Sequence, residues 1–162
     1  MGHYKEVIKV TNEEFVQLVS NSETSLYRVA KSILRNDEDC ADAVQSAILK
    51  AFDKLNTLRH EKYFKTWLTR ILINECYHML NDRREQVSYE EYMEGAQSDV
   101  EYSEVFQALM ELEDMYRVPF SLHYIEGYSV KEISQMLDIG VSNVKIRLSR
   151  ARGKLQNMLG GE

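Results

Sequence analysis

Residues Ser129 to Leu155 read SVKEISQMLDIGVSNVKIRLSRARGKL. Ser129 followed three residues later by Glu132 is the pattern of a capping box, in which each residue bonds the other's backbone N–H at the start of a helix. Gly140 is the expected end of that helix, and a second begins within about two residues. Along the second helix, Val144, Leu148, Ala151 and Leu155 fall at i, i+4, i+7 and i+11, one apolar face that would pack with Ile133, Leu137 and Ile139. Its other positions hold Lys145, Arg147, Arg150, Arg152 and Lys154 with no acid among them. Two short helices across a tight turn, the second basic, are a helix-turn-helix. The N-terminal half of the second helix in such a unit enters the major groove. Lys145, Ile146, Ser149 and Arg150 are therefore the candidates for base edges, and Ser142, Asn143, Arg147 and Arg152 the candidates for phosphate.

That basic helix belongs to an acidic chain of 162 residues with a formal net charge of -6. The imbalance is local: from Glu85 to Asp114 there are ten Asp and Glu and neither Lys nor Arg. The segment 85–104, with little helical periodicity, reads as an acidic flexible linker. A chain of this length and hydrophobic content has room for two small helical domains. Their expected bounds are 10–84 and 105–160, and the fold class is all-α. Cys40 and Cys76 are too far apart for a CxxC pattern and too few for a disulfide framework, so both are expected as buried thiols in a reducing compartment. With no apolar run of membrane-spanning length and no signal-peptide core near the N-terminus, membrane insertion is not expected and the location is cytoplasmic. His60 and His78 lack second ligands at metal spacing, and Asp37 to Asp42 lacks the glycine and spaced oxygens of a calcium loop. No metal, cofactor or catalytic residue is expected, and neither is an enzyme.

The first half carries three helical patterns. A stripe from Phe15 to Leu34 fits one helix with a break near Asn21 and Ser22, ended at Asn36. A second starts with Asp37, Glu38 and Asp39, acids suited to the positive end of a helix dipole. Its inner stripe is Val44, Ile48, Phe52 and Leu55, and its outer face is led by Asp39, Asp42 and Gln45. The third runs from about Phe64 to Asn81 and buries Phe64, Trp67, Leu68, Ile71, Leu72 and Met79. Its other side shows Thr66, Arg70, Asn74, Tyr77, His78, Asn81 and Arg84, which are amides for base edges, aromatics for stacking and arginines for phosphate. Pro119, within MYRVPFSLHYIEG, removes a helical donor, so a late helix start or a kink is expected there.

In order, NDEDCADAVQSAILKAF (36–52), FKTWLTRILINECYHMLNDRR (64–84), an acidic linker and EGYSVKEISQMLDIGVSNVKIRLSRARGKL (126–155) resemble the extracytoplasmic-function (ECF) group of the sigma-70 family. The resemblance covers about residues 12 to 158. It implies a region 2 domain and a region 4 helix-turn-helix, and a dissociable initiation subunit that directs core RNA polymerase to promoters. Asp39, Asp42 and Gln45 would then bind the polymerase clamp helices, and the second domain the flap. The loop from Asn56 to Lys65, with Arg59, Lys62, Tyr63 and Lys65, would hold a flipped-out base of the -10 element. Arg70, Asn74, Tyr77, His78, Asn81 and Arg84 would contact that element along the third helix. Lys145, Ile146, Ser149 and Arg150 would read the -35 element, with Ile146 suited to a thymine methyl. An anti-sigma factor is the implied controlling partner, and promoter DNA the target. The acidic linker would cancel the basic helix in the free protein and lie along basic polymerase channels in the holoenzyme. A stand-alone helix-turn-helix regulator is the alternative from the residues alone.

Overall fold

A computed structural model of the chain describes residues 10–86 and 103–160, and among these it is helical without a strand. Most of the expected acidic linker lies outside the described residues. Helix α1 (Asn12–Leu34) is capped by the Thr11 hydroxyl, which accepts from the Glu14 N–H, and it runs unbroken. The break expected near Asn21 and Ser22 is absent because both side chains bond within their own helix. Ser22 Oγ donates to the Leu18 carbonyl at 2.8 Å, and Asn21 Oδ1 accepts from Gln17 Nε2. Arg35, with φ of 63°, turns the chain directly into α2 (Asp37–Asp53), whose N-cap is Asn36.

Asp39 departs from expectation: at 4% exposure it is buried, whereas Asp42 and Gln45 are exposed. It shares the i, i+4, i+8 row of Ala43 and Ala47, the row that faces α1 and α3. Phe52 also differs, being half exposed at the end of the inner stripe while its ring still meets Phe15 edge-on at 5.5 Å. Two 3-10 turns, Leu55–Thr57 and Glu61–Tyr63, connect to α3 (Phe64–Gln86), with buried Leu58 anchoring the loop. Helix α3 extends beyond the expected end at Asn81. It buries Phe64, Leu68, Leu72, Ile73, Cys76 and Leu80.

The second half opens with α4 (Glu104–Glu111), capped by Ser103, and continues into α5 (Asp114–Phe120). Pro119 is buried inside α5, which starts five residues before it, so of the two expected adjustments the late start is absent. The hydrogen-bond ladder shifts register into a π-helical turn, Ser121–Ile125, where the Glu126 N–H reaches the Ser121 carbonyl. Gly127, at φ of 81°, then reverses the chain in a conformation that side-chain-bearing residues rarely adopt. Helices α6 (Val130–Leu137) and α7 (Val141–Gly160) complete the helix-turn-helix.

The two halves are packed on each other. The buried cluster of α1, α2 and α3 continues without interruption into Val118, Leu122, Tyr128, Ile133, Met136, Val144 and Leu148. Ala108, Leu109, Leu112, Tyr116, Ala151 and Leu155 form a second, smaller cluster between α4, α5 and α7. Arg117 is completely buried where the halves meet: its Nε donates to the Ser32 carbonyl at 2.6 Å, and its other nitrogens to the Leu112 carbonyl and the Asp114 carboxylate.

Cys40 and Cys76 are both buried free thiols. Burial, the largest cause, pushes the Cys40 thiol up to about 12 and Cys76 higher still, so neither is nucleophilic while folded. Iodoacetamide at neutral pH should leave both unmodified in the native protein and alkylate both in urea, as read by intact mass. Rapid native labelling of either would contradict this packing.

Candidate nucleic-acid interface

The capping box anticipated at Ser129 is present with both reciprocal bonds: Ser129 Oγ accepts from the Glu132 N–H, and Glu132 Oε1 accepts from the Ser129 N–H, each at 3.1 Å. The other end of α6 differs from expectation. Asp138, left-handed at φ of 54°, is the C-cap, while Gly140 opens α7 by accepting from the Val144 N–H. Aspartate tolerates this backbone region better than most residues, which is why a glycine was not needed there. Ser134 Oγ donates to the Ile139 carbonyl at 2.5 Å and pins the turn.

With the turn fixed, Val144, Leu148, Ala151 and Leu155 of α7 are buried and Lys145, Ile146, Ser149 and Arg150 stand exposed on the opposite side. Ile146 is 49% exposed among the basic side chains, where an apolar group is suited to contact with a base. The four phosphate candidates are not equivalent. Ser142 and Asn143 are exposed at the helix start, and Asn143 Oδ1 accepts from Arg147 Nε at 3.1 Å. Arg152 Nη1 donates to the Tyr124 hydroxyl at 2.5 Å, and its guanidinium lies over the Tyr124 ring. Tyr124 thus holds Arg152 in place, a link between residues 28 positions apart that no local pattern signals.

A second surface lies on α3 and the loop before it. Tyr63 is 54% exposed, with the Lys62 ammonium over its ring and the His60 ring edge-on to it. His60 Nδ1 accepts from the Lys62 N–H and caps the 3-10 turn, so in that tautomer its proton is on Nε2. An exposed aromatic with a cation beside it is a stacking platform for an unpaired base. Arg59 and Lys65 are exposed in the same stretch, and Arg70, Asn74, His78 and Asn81 are exposed along α3. Arg84 belongs to the end of α3, where side chains lie outside the described residues.

The middle of that α3 face is opposed by the second half of the chain. Thr66 Oγ1 donates to Glu132 Oε2 at 2.8 Å, and the buried hydroxyls of Thr69 and Tyr128 are hydrogen-bonded at 2.8 Å. Arg70, Ile73, Asn74 and Tyr77 line a crevice of about 340 Å³ with Asp114, Pro119, Met136, Leu137, Asp138 and Arg147. Burial, with Asp114 nearby, pushes the Tyr77 hydroxyl up to about 12. Burial alone would raise Glu132. The hydrogen bonds from Ser129 and Thr66 and the charge of Lys65 outweigh it and hold the carboxylate below its ordinary range. On the α1 side, Glu126 accepts from Ser25 Oγ at 2.8 Å and from Arg28 through both Nε and Nη2.

A third surface lies on α1 and α2, where Glu23, Tyr27, Asp42, Gln45, Ile48 and Leu49 border an open groove of about 350 Å³. Tyr27 and Leu49 were not singled out in the sequence, yet they are 40% and 61% exposed there. Among the described residues no group of three His, Cys, Asp or Glu could hold a metal ion, and no helix is long and apolar enough to cross a membrane.

Comparison with known proteins is consistent along the chain. The family model described as Sigma-70 region 2 matches residues 18–86, and that described as Sigma-70, region 4 matches residues 102–155. The ECF RNA polymerase sigma factor SigM of Mycobacterium tuberculosis is 30% identical over 152 residues, covering 90% of this chain and 77% of that protein. Among solved structures, the sigma factor RpoE in complex with the anti-sigma factor NepR from Bartonella quintana superposes with a TM-score of 0.78. It is 25% identical and covers 91% of this chain and 98% of that one. CnrH, solved in complex with the cytosolic domain of CnrY, superposes with a TM-score of 0.71 at 27% identity, covering 94% of this chain and 91% of that one.

The cap at Ser129 supports both the helix-turn-helix and, through Glu132, the contact with Thr66. Ser129→Ala should lower the unfolding free energy by about 1 kcal/mol in a urea titration, with an unchanged m-value. An unaltered midpoint would mean that the capping box contributes nothing here.

Proposed function

The chain belongs to the ECF group of the sigma-70 family of RNA polymerase sigma factors, and on that premise we propose how its own side chains divide the work of promoter recognition. The observation that carries the reading is the pairing of two chemically different faces on one chain. An exposed basic helix face is suited to duplex DNA, and an amide, aromatic and cation face is suited to an unpaired strand.

Helix α7 reads the -35 element, with Lys145, Ile146, Ser149 and Arg150 toward base edges. Ser142, Asn143 and Arg147 serve phosphate, and Arg152 does so from the position that Tyr124 gives it. The loop residues Arg59, Lys62, Tyr63 and Lys65 receive a flipped base of the -10 element. Unstacking that base costs a few kcal/mol, offset by contact with the Tyr63 ring and the adjacent cations. Arg70, Asn74, Tyr77, His78, Asn81 and Arg84 continue the contact along α3, keeping the melted strand from reannealing.

Core polymerase docks on the groove of α1 and α2. Asp42 and Gln45 supply its polar side and Tyr27 and Leu49 its apolar side, while Asp39, buried in the same helix, is not on the open groove. The second half meets the flap. The functional unit 10–84, the joining segment 85–104 and the unit 105–160 follow this division of labour. Phosphodiester chemistry belongs to the polymerase, and the protein acts in the cytoplasm where that enzyme works. An anti-sigma factor is the partner that would hold it inactive, as the two superposed relatives were solved with such partners or with a cytosolic domain bound. The stand-alone regulator is not favoured, because the likeness to sigma factors extends over both halves.

Run-off transcription by core polymerase on promoter fragments from the source genome should begin at a shared upstream motif only when this protein is added. On the motif so found, Arg150→Ala should relax preference at one -35 position by about 1 to 3 kcal/mol, while Arg152→Ala should weaken all sequences alike. A silent core enzyme, with the protein alone shifting a duplex, would overturn the reading.

A further inference from the structure

Tyr124 lies within the π-helical turn that follows Pro119 and is 48% exposed. The register shift of that turn sets where its ring points, because a π-turn changes the angular step of the residues in it. The ring is held by its neighbours in the turn. Phe120 lies tilted against it at 4.7 Å between centroids, and His123 meets it edge-on at 4.8 Å. His123 is itself fixed, with Nδ1 at 2.8 Å from the Tyr128 carbonyl; the carbonyl can only accept, so the ring proton is on Nδ1. Onto this fixed ring comes Arg152 of α7. Its Nη1 donates to the Tyr124 hydroxyl at 2.5 Å, and its guanidinium carbon is 6.0 Å from the ring centroid.

The chemistry of the partner decides what this contact does. A carboxylate in the same place would hold the guanidinium but would also neutralise it and occupy its paired donors. A phenol is neutral and accepts a single hydrogen bond here, so Arg152 keeps its full charge and its remaining N–H donors for another anion. An exposed arginine without such a contact has many rotamers to lose on binding, and prior fixing lowers that cost. The cations of α7 differ in this respect. Lys145 and Arg150, on the base-facing side, have no hydrogen-bond partner among the described residues. Arg152 is held by a residue 28 positions away on another element.

We propose that Tyr124 is a positioning residue for DNA binding: it holds Arg152, still fully charged, at one setting from which the guanidinium meets a backbone phosphate of the duplex. Tyr124 acts through Arg152 and touches no base. It therefore sets affinity for every duplex alike and leaves sequence preference to Lys145, Ile146, Ser149 and Arg150. This rests on the assignment of α7 to duplex DNA and of Arg152 to phosphate.

The test is a double-mutant cycle on the full chain reconstituted with core polymerase. Binding of the fluorescein-labelled promoter fragment found by run-off transcription is read by anisotropy over a series of potassium chloride concentrations. Tyr124→Phe removes the hydroxyl and keeps the ring. It should weaken binding about three- to tenfold, the worth of one hydrogen bond, on the native and on a scrambled -35 element alike. Arg152→Ala should weaken binding and reduce the salt slope by about 0.9, one phosphate contact. Added to Arg152→Ala, Tyr124→Phe should have no further effect, since nothing remains for it to position; a mere packing role would instead cost the same in both backgrounds. Equal losses with and without Arg152, or a silent Tyr124→Phe beside an Arg152→Ala that weakens binding, would overturn the positioning role and leave the assignment of α7 intact. An Arg152→Ala variant with unchanged affinity and salt slope would overturn the phosphate assignment, and the positioning role with it.

Discussion

Arg117 sets the relation between the two halves. A guanidinium removed entirely from water is tolerable only when its donors are occupied, and here they meet two carbonyls and a carboxylate. The Leu112 carbonyl and Asp114 belong to its own domain and fix the corner between α4 and α5. The Ser32 carbonyl belongs to the last turn of α1, where carbonyls lack intrahelical partners and the helix dipole is negative. One side chain therefore closes its own corner and caps a helix in the other domain. The position of the helix-turn-helix against α1 and α3 follows from that cap together with the continuous apolar cluster beneath it.

The same placement bears on why an acidic protein carries a strongly basic helix. Long-range fields depend on total charge, and this chain's is negative. Short-range recognition depends on which charges face which partner. Lys145 and Arg150 face outward with no acid on their side of α7. Glu126 and Glu132 are turned inward against Arg28, Ser25 and Thr66. Acids and bases are sorted by face, so a negative total coexists with one basic surface.

Much of the second half is readable residue by residue because its determinants are local. The Ser129 and Glu132 cap, the seam from Val144 to Leu155 and the basic face of α7 involve residues within a few positions of each other, and each has the geometry expected. The errors have local causes too. Asn21 and Ser22 resemble a helix break until their side chains bond within their own helix. Gly140 resembles a C-cap until Asp138 takes the left-handed position two residues earlier. Asp39 resembles a surface acid because its neighbours Glu38 and Asp37 are exposed, yet its row is the one that α1 and α3 cover.

By itself the amino-acid sequence determined most of the helices, the Ser129 capping box and the all-α class, and it offered two sets of residues suited to DNA, because helical period and capping act over three or four positions. Only the tertiary structure decided that Arg28 grips Glu126, that Thr66 meets Glu132, that Tyr124 holds Arg152 and that Arg117 spans the domains. These pairs lie 28 to 98 positions apart. Each of these side chains would be well solvated in its own helix, so no local preference names its distant partner. What selects the partner is burial, since removing a polar group from water leaves a donor or acceptor that only one neighbour in the packed chain is placed to satisfy.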